Sequence, residues 1–226
     1  MGFGVMISGR RHEPEPQHDL TGLNGCRWSE SSLLPMSGPK WFQHWWEPCS
    51  SCCNRTRIGV VGDGGKWVCL DEPIAGTTVI SVGSNNFFSF EESLIKDYGV
   101  SKVIVYDHTS WPPKDDLGGR IEFRREMATA ENMPEVIRKE KPSIFKIDCE
   151  GCEGTLLPAV ISHAVAQSLS QILVEVHWEF WDSPQETASA LWKHFEQVGY
   201  GAFSKEANIE ASDGSCLEYS LIHRAK

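Results

Sequence analysis

Residues 77–107, TTVISVGSNNFFSFEESLIKDYGVSKVIVYD, decide the fold. Thr77–Val82 is a short β-branched run, Ser89–Tyr98 a helical stretch closed by Gly99, and Lys102–Tyr106 a second strand closed by Asp107. Strand, helix and strand in so few residues make one βαβ unit, the element from which parallel sheets with crossover helices are built. The alternation continues outward. Arg120–Phe123 reads as a strand, Glu131–Glu140 as a helix with Pro134 in its first turns, and Ser143–Ile147 as a strand ended by Asp148. A helix over Thr155–Gln167 follows, then a buried strand over Gln171–Val176. The helix predicted over Pro184–Val198 has Ser183 as N-cap and Gly199 as its stop. The last two extended segments, Gly201–Glu206 and Cys216–His223, are joined by a polar loop with no room for a crossover helix. They are expected to pair antiparallel at the sheet edge.

Toward the N-terminus the pattern fades. Residues 1–40 are rich in Gly, Pro, Ser and His and predict a poorly ordered tail. Residues 41–72 read as an entry segment: Trp41, Phe42, Trp45 and Trp46 fall on one face of a short helix, and Gly62 to Cys69 form a glycine-dense turn running into an apolar stretch. Residues 73–226 are then the main domain. No apolar stretch reaches the roughly 18 residues of a membrane span, and no signal peptide is evident, so the default compartment is the cytoplasm.

The formal net charge is −10, and residues 1–60 carry 6 basic and 5 acidic side chains, leaving 15 against 26 beyond them. An acidic surface repels phosphate backbones, so a small-molecule or protein substrate is expected rather than nucleic acid. Eight cysteines without a regular framework are read mostly as reduced thiols. The spacings Cys49-x-x-Cys52 and Cys149-x-x-Cys152 match zinc-ligand pairs, but lie about a hundred residues apart.

Ligands of open α/β sheets sit outside the carboxyl ends of the strands. Those ends are rich in polar residues here. Gly83-Ser84-Asn85-Asn86 follows the first strand of the unit, and Asp107, about 24 residues after Gly83, is placed to grip a ribose diol. Lys146-Ile147-Asp148-Cys149-Glu150-Gly151 and Glu175-Val176-His177-Trp178 end two further strands.

These blocks carry a resemblance. VISVGSNNFFSFE (79–91), Asp107, FKIDCEGCEG (145–154), LVEVH (173–177) and the closing strand resemble the FkbM-type S-adenosylmethionine-dependent methyltransferases. The nearer likeness is to their methyltransferase-like eukaryotic branch, in which a DGGKWVC-like segment precedes the domain, as residues 63–69 do here. The resemblance spans about residues 49–224 and implies a class I methyltransferase fold: an α/β/α sandwich whose seven-stranded, mainly parallel sheet has an antiparallel last strand. It also implies that Gly83, Ser84, Asn85 and Glu91 line the methionine and ribose end of the cofactor, Asp107 the ribose hydroxyls and His108 the adenine side, with Asp148 and Glu150 facing the sulfonium and substrate. Family members usually carry glycine where Asn85 stands and an acid where Phe87 stands.

The expected reaction is O-methylation of a small molecule or glycan. A hydroxyl acceptor needs a base, and Asp148, His177, Glu150 and Glu175 are the candidates, with Asp148 and His177 ranked first. Two carboxylates meeting at one point could instead hold Mg²⁺. Two other readings stand beside this one: a non-catalytic domain that keeps the fold for binding, and a nicotinamide-dependent oxidoreductase, which the missing GxGxxG disfavours.

Overall fold

A seven-stranded sheet runs through the molecule, its strands in the spatial order Ile121–Arg124, Lys102–Tyr106, Thr78–Val82, Ile144–Ile147, Gln171–His177, Cys216–His223 and Tyr200–Ala207. The computed structural model describes residues 48–62, 64–162, 165–208 and 216–223. The tail over 1–40, the aromatic stripe at Trp41–Trp46 and most of the polar loop before the last strand lie outside them. The sheet is built from β3 (Thr78–Val82), β4 (Lys102–Tyr106), β5 (Ile121–Arg124), β6 (Ile144–Ile147), β7 (Gln171–His177), β8 (Tyr200–Ala207) and β9 (Cys216–His223). Only β9 runs against the others; it pairs antiparallel with β7 on one side and β8 on the other. The expected terminal hairpin is therefore present, with its second strand inserted between β7 and its first.

Side chains alternate between the faces of each strand. Ile80, Ile104, Phe145, Ile172, Val174 and Leu221 point to one face, covered by α2 (Met133–Glu140), α3 (Glu153–Val160) and α4 (Pro184–Gln197). Val79, Val103, Val105, Ile144 and Leu173 point to the other, covered by α1 (Ser89–Lys96) through Phe90, Leu94 and Ile95. Glu91 and Glu92 in the first turn of α1 and Lys96 in its last complement the helix dipole. The helix expected over Thr155–Gln167 begins two residues earlier and stops at Val160, with Pro158 inside it lacking a helical N–H; a separate 3-10 turn spans Ala166–Ser168.

The glycine-dense entry segment folds as an antiparallel hairpin, β1 (Arg55–Ile58) and β2 (Lys66–Cys69), lying beside α1 on the second face. Its turn is tight: a Cβ on Gly65 would stand 2.1 Å from the Val60 carbonyl oxygen. Gln171 of β7 ties β2 down, accepting from Cys69 N at 2.8 Å and donating to Cys69 O at 2.7 Å.

The cysteine expectation is overturned. Cys52 is bonded to Cys69 and Cys149 to Cys152, with Cα separations of 5.8 and 5.5 Å, well inside the range a disulfide bridges. Cys49 is disulfide-bonded as well, while Cys53 and Cys216 are free. A C-x-x-C spacing suits a metal pair and a small disulfide ring equally, and the sulfurs here are consumed in bonds, which removes the zinc reading. No helix among the described residues is long and apolar enough to cross a membrane.

Candidate active site

The strand order reverses between β3 and β6, and the cleft of an open α/β sheet lies at such a switch point. Gly83 follows β3 and Asp148 follows β6, and here the two backbones meet. Gly83 has φ +81°, and a Cβ on it would lie 1.7 Å from the Asp148 carbonyl oxygen, so no other residue fits. Lys146 ties the same corner by donating to Gly83 O. Asn85 and Asn86 continue the loop with φ of 46° and 60°, left-handed values that Asn tolerates better than most residues.

Strand parity explains the row of ionic groups beside that corner. Ser81, Lys146, Glu175 and Glu218 all occupy the face covered by α1 and the hairpin. Lys66 enters this row from β2. Its buried ammonium lies 3.1 Å from Glu175 Oε2 and 3.3 Å from Asp148 Oδ2, and donates to Glu218 Oε1. Burial pulls the Lys66 pKa down, but Glu218, Asp148 and Glu175 together hold it above the ordinary lysine value. Burial pushes Glu175 up, yet Lys66 and the Asn208 amide, which donates to it at 2.6 Å, bring it well below the usual carboxyl range. Glu218 moves the other way, raised by burial against the opposing pull of Lys66. At the next position along, Ser81 Oγ donates to buried Glu91 at 2.6 Å.

His177, at the end of β7, stands among carboxylates. Its Nδ1 is 3.0 Å from Glu153 Oε1, and its Nε2 lies 3.5 Å from Glu150 and 3.8 Å from Glu175. Burial lowers its pKa, but the bond to Glu153 and the surrounding charges raise it to about 9, so the imidazole is cationic at neutral pH. Glu150, with φ 55° and an exposed side chain, has its pKa raised by burial of the carboxylate and by Asp148 and Glu175, against the pull of His177.

Asp107 is fully engaged by its own chain. Oδ2 accepts from Ser84 N, Ser84 Oγ and Asn85 N at 2.8, 2.8 and 3.1 Å; Oδ1 accepts from Thr109 N, Thr109 Oγ1 and Ser110 N at 2.9, 2.7 and 3.0 Å. Burial raises its pKa, and the bonds from Ser110, Thr109 and Ser84 outweigh that and hold it well below the ordinary value. The carboxylate thus fixes the Gly83–Asn86 loop.

The structure brings together Gly83, Asp148, Glu150, Glu175 and His177; Ser84, Asn85 and Asp107 form an adjoining group, with exposed His108 beside it. Lys66, Lys146, Glu153 and Glu218 were not among the expected site residues. For three of them the signal was present: a charged residue at alternate positions of an otherwise apolar strand, or in the first turn after Asp148. Asp148, Glu150 and His177 each place one ligand atom within 4.8 Å of the others, but a cationic imidazole held by Glu153 and an Asp148 shared with Lys66 do not suit Mg²⁺, which prefers oxygen ligands.

A family profile described as a methyltransferase domain matches residues 27–140 and 125–223. The chain belongs to this methyltransferase-domain family. The match does not distinguish an FkbM type within it. Among solved structures, a Lactococcus lactis protein provisionally described as a hemolysin is similar at 15% identity and TM-score 0.50, covering 69% of this chain and 82% of that one. A Methanococcus jannaschii fibrillarin pre-rRNA processing protein covers 78% and 86% at 13% identity and TM-score 0.47. The Bacillus subtilis m1A22 tRNA methyltransferase TrmK covers 68% and 63% at 16% identity and TM-score 0.45. No curated protein matches the chain. The methyltransferase domain has the class I fold, with an inserted antiparallel β9 that the dinucleotide-binding order 3-2-1-4-5-6 lacks, so the oxidoreductase reading falls away.

Proposed function

We propose that this methyltransferase domain uses S-adenosylmethionine to methylate a hydroxyl on a small molecule or glycan, and that within the family it lies nearest the FkbM type. The observation that carries the reading is the meeting of Asp148, Glu150 and cationic His177 beside the Gly83 corner at the switch point.

The residues present fit the cofactor. The cluster of Asp148, Glu150, Glu153, Glu175 and Glu218 outnumbers Lys66, Lys146 and His177, which suits a sulfonium cation. Asp107 carries two hydroxyl donors, Ser84 Oγ on one oxygen and Thr109 Oγ1 on the other. A ribose diol offers the same pair of donors, so rotation of these two side chains would hand the carboxylate over to it. When bound, S-adenosylmethionine supplies an electrophilic methyl group. The chain's own residues align the acceptor and remove its proton. Asp148 faces the cationic end. Glu150, exposed and with a raised pKa, is the better proton acceptor; His177, already protonated, orients it from 3.5 Å. Glu175 is committed to Lys66 and Asn208 and keeps a structural part. The acidic surplus supports a small acceptor over nucleic acid, and the bonded cysteines support an oxidising compartment rather than the cytoplasm.

Titration calorimetry with S-adenosylmethionine and S-adenosylhomocysteine, with NAD as control, tests this. Micromolar binding, about −8 kcal/mol, is expected for the first two and none for NAD. A second reading, a binding module that has lost catalysis, draws on the six donors that already occupy Asp107 and on exposed Phe87; folded protein that binds neither compound would favour it.

A further inference from the structure

Methyl transfer leaves the Cys149–Cys152 pair unused. The disulfide closes a C-x-x-C ring between the end of β6 and the first turn of α3, and Cys152 is the N-cap of that helix. The sulfurs therefore sit at the positive end of a helix, in half-buried rather than enclosed positions, the setting in which cysteines are reactive. A second observation points to proton chemistry there. Glu153, fully buried, places Oε1 3.5 Å from Cys149 Sγ, and the same oxygen accepts from Cys149 N at 3.1 Å and Gly151 N at 3.4 Å and meets His177 Nδ1 at 3.0 Å. Its other oxygen, Oε2, is buried without a hydrogen-bond partner. An unsatisfied buried carboxylate oxygen is costly. The sulfur beside this carboxylate has no hydrogen while bonded to Cys152; as a thiol it becomes a donor.

We infer that Cys149–Cys152 is a redox-active disulfide that exchanges with a dithiol reductant, with Glu153 carrying the proton of the Cys149 thiol. One thiolate of the reductant attacks Cys152 Sγ, so that Cys149, the sulfur 3.5 Å from the carboxylate, is the leaving group. The Cys149–Cys152 bond breaks, a mixed disulfide forms, and Cys149 leaves as a thiolate that takes the His177 Nδ1 proton through Glu153 Oε1, which touches both, while His177 regains a proton from water. The reductant's second thiolate then attacks its own sulfur in the mixed disulfide and frees Cys152, which is protonated from water. Two electrons pass from the dithiol to the protein, the protons released when the dithiol ionises are balanced by those the two cysteines take up by way of water, and the reductant ends as a disulfide. Opening the ring releases Glu150 and Gly151, held inside it at φ 55° and 107°, so the redox state resets the loop that carries Glu150. The inference does not depend on methyl transfer.

Cys52–Cys69 is the internal control: Cys69 is buried in β2 and pinned on both sides by Gln171. The test incubates the intact protein with dithiothreitol at graded pH, quenches by alkylation, and follows each cysteine peptide by mass spectrometry alongside far-UV circular dichroism. Cys149–Cys152 should open at least tenfold faster than Cys52–Cys69 with the spectrum unchanged, and Glu153→Gln should slow it about tenfold. In Cys149→Ser, the remaining Cys152 should form a mixed disulfide with oxidised glutathione about tenfold faster than Cys149 does in Cys152→Ser. Opening no faster than Cys52–Cys69, opening only with unfolding, an unchanged rate in folded Glu153→Gln, or equal reactivity of the two single cysteines would each overturn it.

Discussion

Replacing Lys66 by Met tests the electrostatic logic of the site most directly. The ammonium is buried and touches Glu175 at 3.1 Å, Asp148 at 3.3 Å and Glu218 at bonding distance. At an effective dielectric of 20, a unit pair at such separations attracts by about 5 kcal/mol gross. Desolvation of the ammonium and repulsion among the carboxylates consume most of that sum, and removal of one partner from a buried ionic set costs about 3–5 kcal/mol net. The loss must also depend on pH. Without Lys66, Glu175 faces Glu218 across the β7–β9 register, and their folded pKa values rise above the unfolded value of about 4.3. Groups shifted in that direction favour folding when protonated and oppose it as pH rises. Wild-type and Lys66→Met protein should therefore differ little near pH 4.5 and most near pH 8. Urea titrations at pH 4.5, 6 and 8 read this out: with a slope of about 2 kcal/mol/M, the midpoint should fall by about 2 M at pH 8. A loss under about 1 kcal/mol at pH 8, or a deficit that grows on acidification, would refute the reasoning.

Other consequences are as specific. Opening the 17-residue separation of Cys52 and Cys69 by Cys52→Ser should cost about 3 kcal/mol on the chain-entropy account, lowering Tm by several degrees in calorimetry. His177 is raised to about 9 in the fold, so its stabilisation is complete below its unfolded value near 6.5 and is lost as pH rises through 9; His177→Gln should remove a decline of about 2–3 kcal/mol between pH 6.5 and 9.5 in denaturation experiments. Gly83→Ala, whose Cβ meets the Asp148 oxygen at 1.7 Å, should destabilise by about 2 kcal/mol or more and abolish S-adenosylmethionine binding in calorimetry. Asp107→Asn replaces an acceptor of six donors and should loosen the Gly83–Asn86 loop, with faster amide exchange at Ser84 and Asn85.

The centre of the sheet was legible because β3, β4, β6 and β7 are apolar runs rich in β-branched residues, and Gly83, Asp107, Asp148 and His177 close them. The alternate charges Lys146 and Glu175 were legible in the same way. Lys66 was not: a lysine after two glycines reads as a solvated turn residue, and its partners come from strands up to 152 positions away. The hairpin was obscured too, since Arg55–Ile58 carries too little apolar periodicity to announce a strand. The disulfides were beyond spacing alone, because Cys52 had Cys49 as an equally good partner until β2 brought Cys69 within 5.8 Å. Asp107 directly follows β4, as its strand-end reading expected, but its six internal donors depend on the loop closing back over it, which a linear sequence does not display.

The hairpin and the cleft form one electrostatic unit, joined through a single residue. Glu175 and Glu218 lie beneath β2 and are both held by Lys66, with Asn208 and, at 3.8 Å, His177 also reaching Glu175. Asp148 differs: its side chain keeps 18% exposure and is held at 3.3 Å by Lys66 and 3.7 Å by Lys146, longer than the other contacts of the set. It is the one carboxylate that looks both at the hairpin's ammonium and out into the cleft. A cation arriving in the cleft must share Asp148 with Lys66, so whatever strengthens the hairpin's hold lowers the charge offered to the ligand. Linkage makes this reciprocal: a bound cation relaxes the grip on Lys66 by the same free energy. The Cys52–Cys69 bond closes the hairpin on itself, and the two bonds from Gln171 hold its second strand against β7.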